Sequence, residues 1–468
     1  MAKRVSTNSD TVGTDAVWTK LLAKAAKQTE GKVIFTKRVA DAMLLGIPSP
    51  SLALSYGLGS NVIPLSRVMQ LAGKTGSFKS AFAWDMVRII LEVCEQGADA
   101  GIPLIPESVQ YNETENKAAP DFTRSILENR PQYDGIYCLE EPKFMDDWMC
   151  NMTRKAKEWE SLFDTAKGGP GWVIPLCLVV DSLVAAAPRE EFDKLLKEGS
   201  LGRGYPLSAN LLSKWAAMMP GLIGNRPILF IATNHLKDDI ATQPGMLLQH
   251  VPGGRAFQHM ESLEFHMSKM KDTVSAKLTG AVVKIKFQKN CLGDSRRTIE
   301  VPIQWAYDLD EEGKKRQWTM WDWPKASIDL LTAIEIKRPD IHKKVQKVLD
   351  LNVSTGRVWS SALGIPKESK VSVHEAGCIL EENSGILDVL LPILGIRQGR
   401  FFLPGMDFST ERLRESAQMD SMSRRVFRRP IANDLTRMIA SQTGPDLGED
   451  GDVGFEIDGP VDSIEDES

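Results

Sequence analysis

Short apolar, β-branched runs alternate with stretches of helical spacing between about residues 52 and 310. Four of the runs, 68–71, 176–180, 228–233 and 282–287, read as core strands. Leu176-Cys177-Leu178-Val179-Val180 has no polar position, as a strand covered on both faces requires. Val283-Lys284-Ile285-Lys286-Phe287 alternates strictly, as a strand with one wet face does. Residues 81–93 place their apolar side chains on one helical face. This order predicts an α/β core, a mostly parallel sheet flanked by helices. Ahead of it, 16–26 has helical spacing with Lys20, Lys24 and Lys27 on a basic face, and Pro48, Ser49 and Pro50 end the segment. Beyond Trp305 the character changes: Trp318, Trp321 and Trp323 gather beside Pro324, and a more helical, irregular region runs to about 440. The expected organisation is a helical N-terminal segment (1–50), the core (51–312), a smaller C-terminal domain (313–442) and a tail (443–468).

Composition narrows the class. With 42% apolar and 25% charged residues, the bulk of the chain should fold. No apolar run approaches the roughly 20 residues that span a bilayer, and residues 1–15 lack the apolar stretch of a secretory signal. The six cysteines form no Cys-x-x-Cys pair, and the six histidines show no metal-ligand spacing. A cytoplasmic, reduced protein without a membrane partner is expected. The net charge of −5 hides an uneven distribution: from residue 445 onward there are ten acidic residues and no Lys or Arg, so the rest of the chain carries +5. Such a tail either solubilises or competes with a polyanion for a basic groove.

Two motifs carry chemistry. Gly73-Lys74-Thr75-Gly76-Ser77-Phe78-Lys79-Ser80 follows an apolar strand and opens a helix. In that context main-chain N–H groups and the helix N-terminus cradle phosphates, Lys79 adds a point charge, and Ser80 offers its hydroxyl to Mg²⁺. Phe78 stands where the common pattern has a second glycine. The second motif is the apolar run 176–180 ending in Asp181-Ser182, which places a carboxylate for the metal beside the phosphate loop. A terminal Asp that merely caps a turn gives the same pattern. The two motifs together, in this order and about a hundred residues apart, point to a nucleotide site.

At these residues the chain resembles the RecA family of recombinases. Asp181-Ser182-Leu183-Val184-Ala185-Ala186-Ala187-Pro188 is similar to the segment after that family's Mg²⁺ aspartate. Ile231-Ala232-Thr233-Asn234-His235 resembles the strand whose polar end senses the γ-phosphate. Pro252-Gly253-Gly254-Arg255-Ala256, followed by Ser262-Leu263-Glu264-Phe265-His266, resembles the glycine pair and returning strand after the second DNA-binding loop. The ending Ser77-Phe78-Lys79-Ser80 and the Asn234-His235 pair resemble the UvsX-type recombinases of bacteriophages. The resemblance covers about residues 47–290, and the acidic tail agrees with it.

It implies roles residue by residue. ATP and Mg²⁺ are the cofactors; residues 73–80 bind the nucleotide, Ser80 and Asp181 support the metal, and Phe122 stacks on adenine. Glu115, five residues before Pro120, is the implied base that polarises the attacking water, with Glu113 as the alternative. His235 is the implied γ-phosphate sensor, and Lys289 reaches a neighbouring protomer's phosphates. Cys291 stands where the family often has a second basic residue; Arg296 and Arg297 are the substitutes at hand. DNA contacts are implied in two loops. The first, about 190–206, has Lys194, Lys197 and Arg203; the second, about 236–252, has Lys237 and the apolar trio Met246, Leu247 and Leu248, with Arg255 just beyond. Arg424, Arg425, Arg428 and Arg429 form a further basic cluster. The function implied is a DNA-dependent ATPase that self-assembles into a helical filament on single-stranded DNA and exchanges strands with homologous duplex DNA. The N-terminal segment would serve oligomerisation, and single-strand-binding and mediator proteins would be partners. The location would be bacterial cytoplasm, that of the host if phage-encoded. A hexameric replicative helicase and a nucleotide-binding regulator without turnover are the alternatives.

Overall fold

A computed structural model describes residues 45–99, 108–115, 120–127, 133, 137–163, 175–198, 207–223, 227–239, 248–252, 254–274, 279–309, 313 and 315–401. All of them fall in one compact unit, Met1–Pro430. The N-terminal segment to residue 44, the basic cluster from Arg424 to Arg429 and the acidic tail lie outside the described residues.

The strands up to residue 321 are β1 (Leu45–Pro48), β2 (Val62–Pro64), β3 (Arg67–Gly73), β4 (Val109–Glu113), β5 (Tyr137–Glu140), β6 (Leu176–Asp181), β7 (Ile228–His235), β8 (Lys237–Asp239), β9 (Leu248–His250), β10 (Leu263–Val274), β11 (Thr279–Asn290), β12 (Thr298–Leu309) and β13 (Lys315–Trp321). Nine of these form one sheet in the order β13-β12-β11-β10-β3-β7-β6-β4-β5. From β10 to β5 every pairing is parallel, and the three pairings from β10 outward to β13 are antiparallel. All four expected core strands are present, in β3, β6, β7 and β11. β6 is buried at all six positions, which its unbroken apolar sequence anticipates. β11 alternates buried and wetter positions from Val283 to Phe287, as its sequence does.

The helices are α1 (Leu52–Leu58), α2 (Lys79–Asp99), α3 (Pro120–Ile126), α4 (Met145–Phe163), α5 (Arg189–Glu198), α6 (Leu207–Ile223), α7 (Gly254–Met260), α8 (Trp323–Lys337), α9 (Pro339–Leu349), α10 (Val373–Glu382) and α11 (Ser384–Ile393). No described helix is long and apolar enough to cross a membrane. Side chains of the sheet and of α2, α4 and α6 make the main core. A second cluster gathers Ile328, Leu331, Val345, Leu349, Leu380 and Leu390 from α8 to α11 around Leu52 of α1.

The tryptophans near residue 320 join the two regions. Trp321 and Trp323 set their rings edge-on against Phe82 of α2, with centroids 5.6 and 6.0 Å away. Trp321 Nε1 donates to the Ala81 carbonyl (3.3 Å), and Trp323 Nε1 to Asp85 Oδ2 (2.7 Å). Between them Asp322 caps α8 through the Lys325 amide and holds His374 Nδ1 of α10 at 2.8 Å. Burial disfavours the imidazolium of His374, but its hydrogen bonds to Asp322 and Cys378 and the nearby Asp322 charge outweigh that, raising its pKa to about 10.

Candidate nucleotide site

The site lies where the parallel strands end. In register, Gly73 at the end of β3 faces His235 at the end of β7, and Glu113 at the end of β4 faces Asp181 at the end of β6. Parallel strands entering from one side deliver these residues to a single edge, where open α/β sheets bind ligands.

Loop geometry explains its sequence. A Cβ on Gly73 would lie 2.3 Å from Ser77 Oγ and 2.5 Å from the Met267 carbonyl, so the position admits glycine alone. Gly76 and Phe78 have φ of 75° and 65°, the left-handed region. Phe78 therefore adopts the backbone that the usual glycine would supply, and its half-buried ring packs 6.1 Å from that of Trp305 on β12. Left-handed backbone costs a side-chain-bearing residue about 1–2 kcal/mol, a cost the ring contact offsets in part. Phe78→Gly should accordingly be more stable than Phe78→Ala by about 1 kcal/mol, the reverse of the usual order. Urea unfolding midpoints of the two variants check this.

Lys79 is buried, and its Nζ donates to the carbonyls of Gly73 and Lys74, each at 3.0 Å. The ammonium thus sits inside the turn of the loop. Ser80, half-buried, follows in the first turn of α2. Ser77 Oγ is buried and makes no hydrogen bond, as does Ser182 Oγ beside Asp181. Orphaned buried hydroxyls are rare, and here they flank the loop and the carboxylate. A positively charged loop, glycine-lined, with spare hydroxyls and an adjacent carboxylate fits a polyphosphate with a divalent cation. Among the described residues no group of three His, Cys, Asp or Glu can hold a metal alone. The cation would rely on Ser80, phosphate oxygens and water.

Asp181 is buried and held on both oxygens: Tyr111 donates to Oδ2 at 2.7 Å and the Thr233 hydroxyl to Oδ1. Burial, together with the charge and hydrogen bond of Asp181, pushes the Tyr111 hydroxyl well above its ordinary pKa, so it remains a donor. Thr114 stitches the ends of β4 and β6. Its amide donates to the Asp181 carbonyl, and its hydroxyl bonds both the amide and the carbonyl of Ser182, all at 2.7 Å. Glu113 is buried and accepts from the Glu115 amide at 2.7 Å. Glu115, half-buried beyond the strand, meets His235 Nε2 through Oε1 at 2.7 Å. The two acidic candidates are thus distinguished: one braces the loop, the other touches the histidine at the end of β7. Asn234 anchors that end, accepting from the His235 amide (2.9 Å) and donating to the Pro252 carbonyl (2.7 Å).

RecA of Lactobacillus delbrueckii subsp. bulgaricus is 23% identical over 286 residues, 61% of this chain and 76% of the relative. RecA of Lactobacillus johnsonii is 23% identical over 286 residues, 61% of this chain and 70% of the relative. RecA of Bacillus subtilis is 24% identical over 300 residues, 63% of this chain and 76% of the relative. The chain is homologous to RecA proteins. No protein-family model matches it. The nine-stranded sheet with its flanking helices is a RecA-like core.

The remaining expected residues divide around this RecA-like core. Phe122 on α3 is half-buried against the main core. Lys289, on β11, donates through Nζ to the Gln258 carbonyl of α7. Beside it Glu261 is buried; burial, Glu264 and its hydrogen bond raise its pKa to about 9 against the opposing charge of Lys289. Arg297 is engaged within the chain, over the Tyr56 ring at 4.7 Å and on the Tyr56 carbonyl at 2.8 Å, whereas Arg296 is exposed. The expectation of a loop from about residue 190 needs correction. Residues 189–198 form α5, begun by Glu190 and Glu191 and supported by a Glu190–Lys194 pair at 2.8 Å. Lys194 and Lys197 are exposed on that helix. The second loop is closed at its base by a ladder in which Lys237 faces His250 and Asp239 faces Leu248. Arg255 lies on α7. Arg203, Met246 and Leu247 lie outside the described residues. Sequence reasoning gave no role to Tyr111, Thr114 or Thr233; a polar side chain in or just after a strand carries no local sign of a partner on another strand.

Proposed function

We propose that this protein is an ATP-dependent recombinase that polymerises on single-stranded DNA and exchanges strands with a homologous duplex. The observation that carries the reading is the Glu115–His235 contact of 2.7 Å at the sheet edge that also presents the phosphate loop and Asp181. The Ser77-Phe78-Lys79-Ser80 ending and the Asn234-His235 pair support the phage type, acting in the cytoplasm of a bacterial host.

Loop amides and Lys79 grip the triphosphate, and Phe122 lies against the adenine. Magnesium, when bound, would neutralise phosphate charge, and Ser80 and Asp181 are the residues that would support it. Glu115 polarises the attacking water and takes its proton. His235 exchanges Glu115 for the γ-phosphate as its hydrogen-bond partner, so the base is released when triphosphate is present. Because Asn234 ties that strand end to Pro252, the same movement reaches the base of the second DNA loop. Lys289 leaves the Gln258 carbonyl to reach a neighbouring protomer's phosphates, placing nucleotide between protomers. Lys194, Lys197, Arg203, Lys237 and Arg255 meet DNA phosphates, and Met246, Leu247 and Leu248 wedge between bases. Single-strand-binding and mediator proteins would govern loading.

Electron microscopy with ATP, Mg²⁺ and a single-stranded oligonucleotide tests this reading. Helical filaments that require both ATP and DNA are expected. Closed rings would favour a helicase, and absence of any assembly would overturn the recombinase reading.

A further inference from the structure

Asp181 is not left to orient itself. Its Oδ2 takes the Tyr111 hydroxyl at 2.7 Å, and Tyr111 has no solvent exposure. The tyrosine ring lies flat on Trp84, with centroids 4.1 Å apart and planes 6° apart, and Tyr137 of β5 closes edge-on over Trp84 at 5.7 Å. Trp84 belongs to α2, the helix that opens with Lys79 and Ser80. One rigid contact path therefore runs from the phosphate-loop helix through Trp84 and Tyr111 to the Asp181 carboxylate on β6. It crosses β4, a strand that otherwise contributes to the site only at its tip.

We infer that Tyr111 is a positioning residue for the metal: its hydroxyl fixes the Asp181 carboxylate, and its stacked ring keys that carboxylate to the helix bearing Lys79 and Ser80. The inference rests on the proposed nucleotide site. A carboxylate oxygen has two lone pairs. With one on each oxygen engaged by Tyr111 and Thr233, one on each remains, in a fixed direction, for metal-bound water. Without the tyrosine hydroxyl, the Thr233 bond alone restrains the group, and the carboxylate swings about its Cβ–Cγ bond. Phosphate binding through main-chain amides and Lys79 does not depend on that orientation.

Tyr111→Phe keeps the ring and its stacking, so the fold should persist. In the full-length variant, Mn²⁺ binding in the presence of ADP, followed by electron paramagnetic resonance, is expected to weaken about 10-fold, as loss of a hydrogen bond to a charged group implies. The Mg²⁺ concentration for half-maximal ATP hydrolysis should rise by a similar factor. ADP affinity in EDTA should remain within about twofold, since that binding does not involve the carboxylate. In an Asp181→Asn background the tyrosine substitution should have no further effect on Mn²⁺, the signature of one residue acting through the other. A folded Tyr111→Phe protein with unchanged Mn²⁺ affinity, or effects that simply add in the double variant, would overturn the role of Tyr111. Failure of the wild-type chain to bind Mn²⁺ and ADP would instead overturn the nucleotide site itself.

Discussion

Replacing Lys79 by alanine is expected to lower DNA-stimulated ATP hydrolysis about 100- to 1,000-fold, the loss that follows removal of one preorganised charge at a reacting group. The lysine is buried and bridges the carbonyls of Gly73 and Lys74, so it performs two tasks at once. In the proposed site it would compensate phosphate charge while it holds the turn of the loop together. Arginine should not rescue it, because the planar guanidinium cannot take the compact position of an ammonium between two carbonyls. Steady-state hydrolysis with and without single-stranded DNA gives the measurement, and circular dichroism controls for folding. Turnover that survived in Lys79→Ala would remove the assignment of residues 73–80 as the phosphate loop.

The second large effect is expected at Glu115. Glu115→Gln keeps the shape and a hydrogen bond to His235 but cannot accept the proton of the attacking water. Hydrolysis should fall about 100- to 10,000-fold while ATP binding and DNA-dependent assembly persist. Glu113→Gln should behave differently. Glu113 is buried and accepts from the Glu115 amide, a bond that a glutamine carbonyl keeps, so turnover should stay within about threefold of wild type. Single-turnover hydrolysis set beside filament formation separates the two. The opposite pattern, with Glu113→Gln assembling without hydrolysing and Glu115→Gln near wild type, would transfer the base to Glu113.

Much of this arrangement was legible in the sequence because its signals are local. A wholly apolar run ending in Asp181 announces a strand buried on both faces, and that strand is β6. Phe78 in place of a glycine marked the loop as unusual, and its φ of 65° shows what that substitution demands. What could not be read is whatever depends on strand order. Tyr111 and Asp181 are 70 residues apart, and their bond exists because β4 lies beside β6. The pairing of Glu115 with His235, 120 residues apart, is of the same kind. Helix α5 differs from what the sequence suggests because the family resemblance implies a DNA-binding loop there, although the acidic pair Glu190 and Glu191 is a local sign of a helix start.

The indole pair near residue 320 has a consequence for how the chain can be divided. Strand β13 begins at Lys315 and covers the flank of β12, while Trp321 and Trp323 shield Phe82 and bond the backbone and side chain of the helix that starts at Lys79. A fragment stopped at 312 would bare a ladder edge and an aromatic face together, inviting self-association. The part that carries the loop 73–80 and the part that follows it share a wall, and neither half owns it.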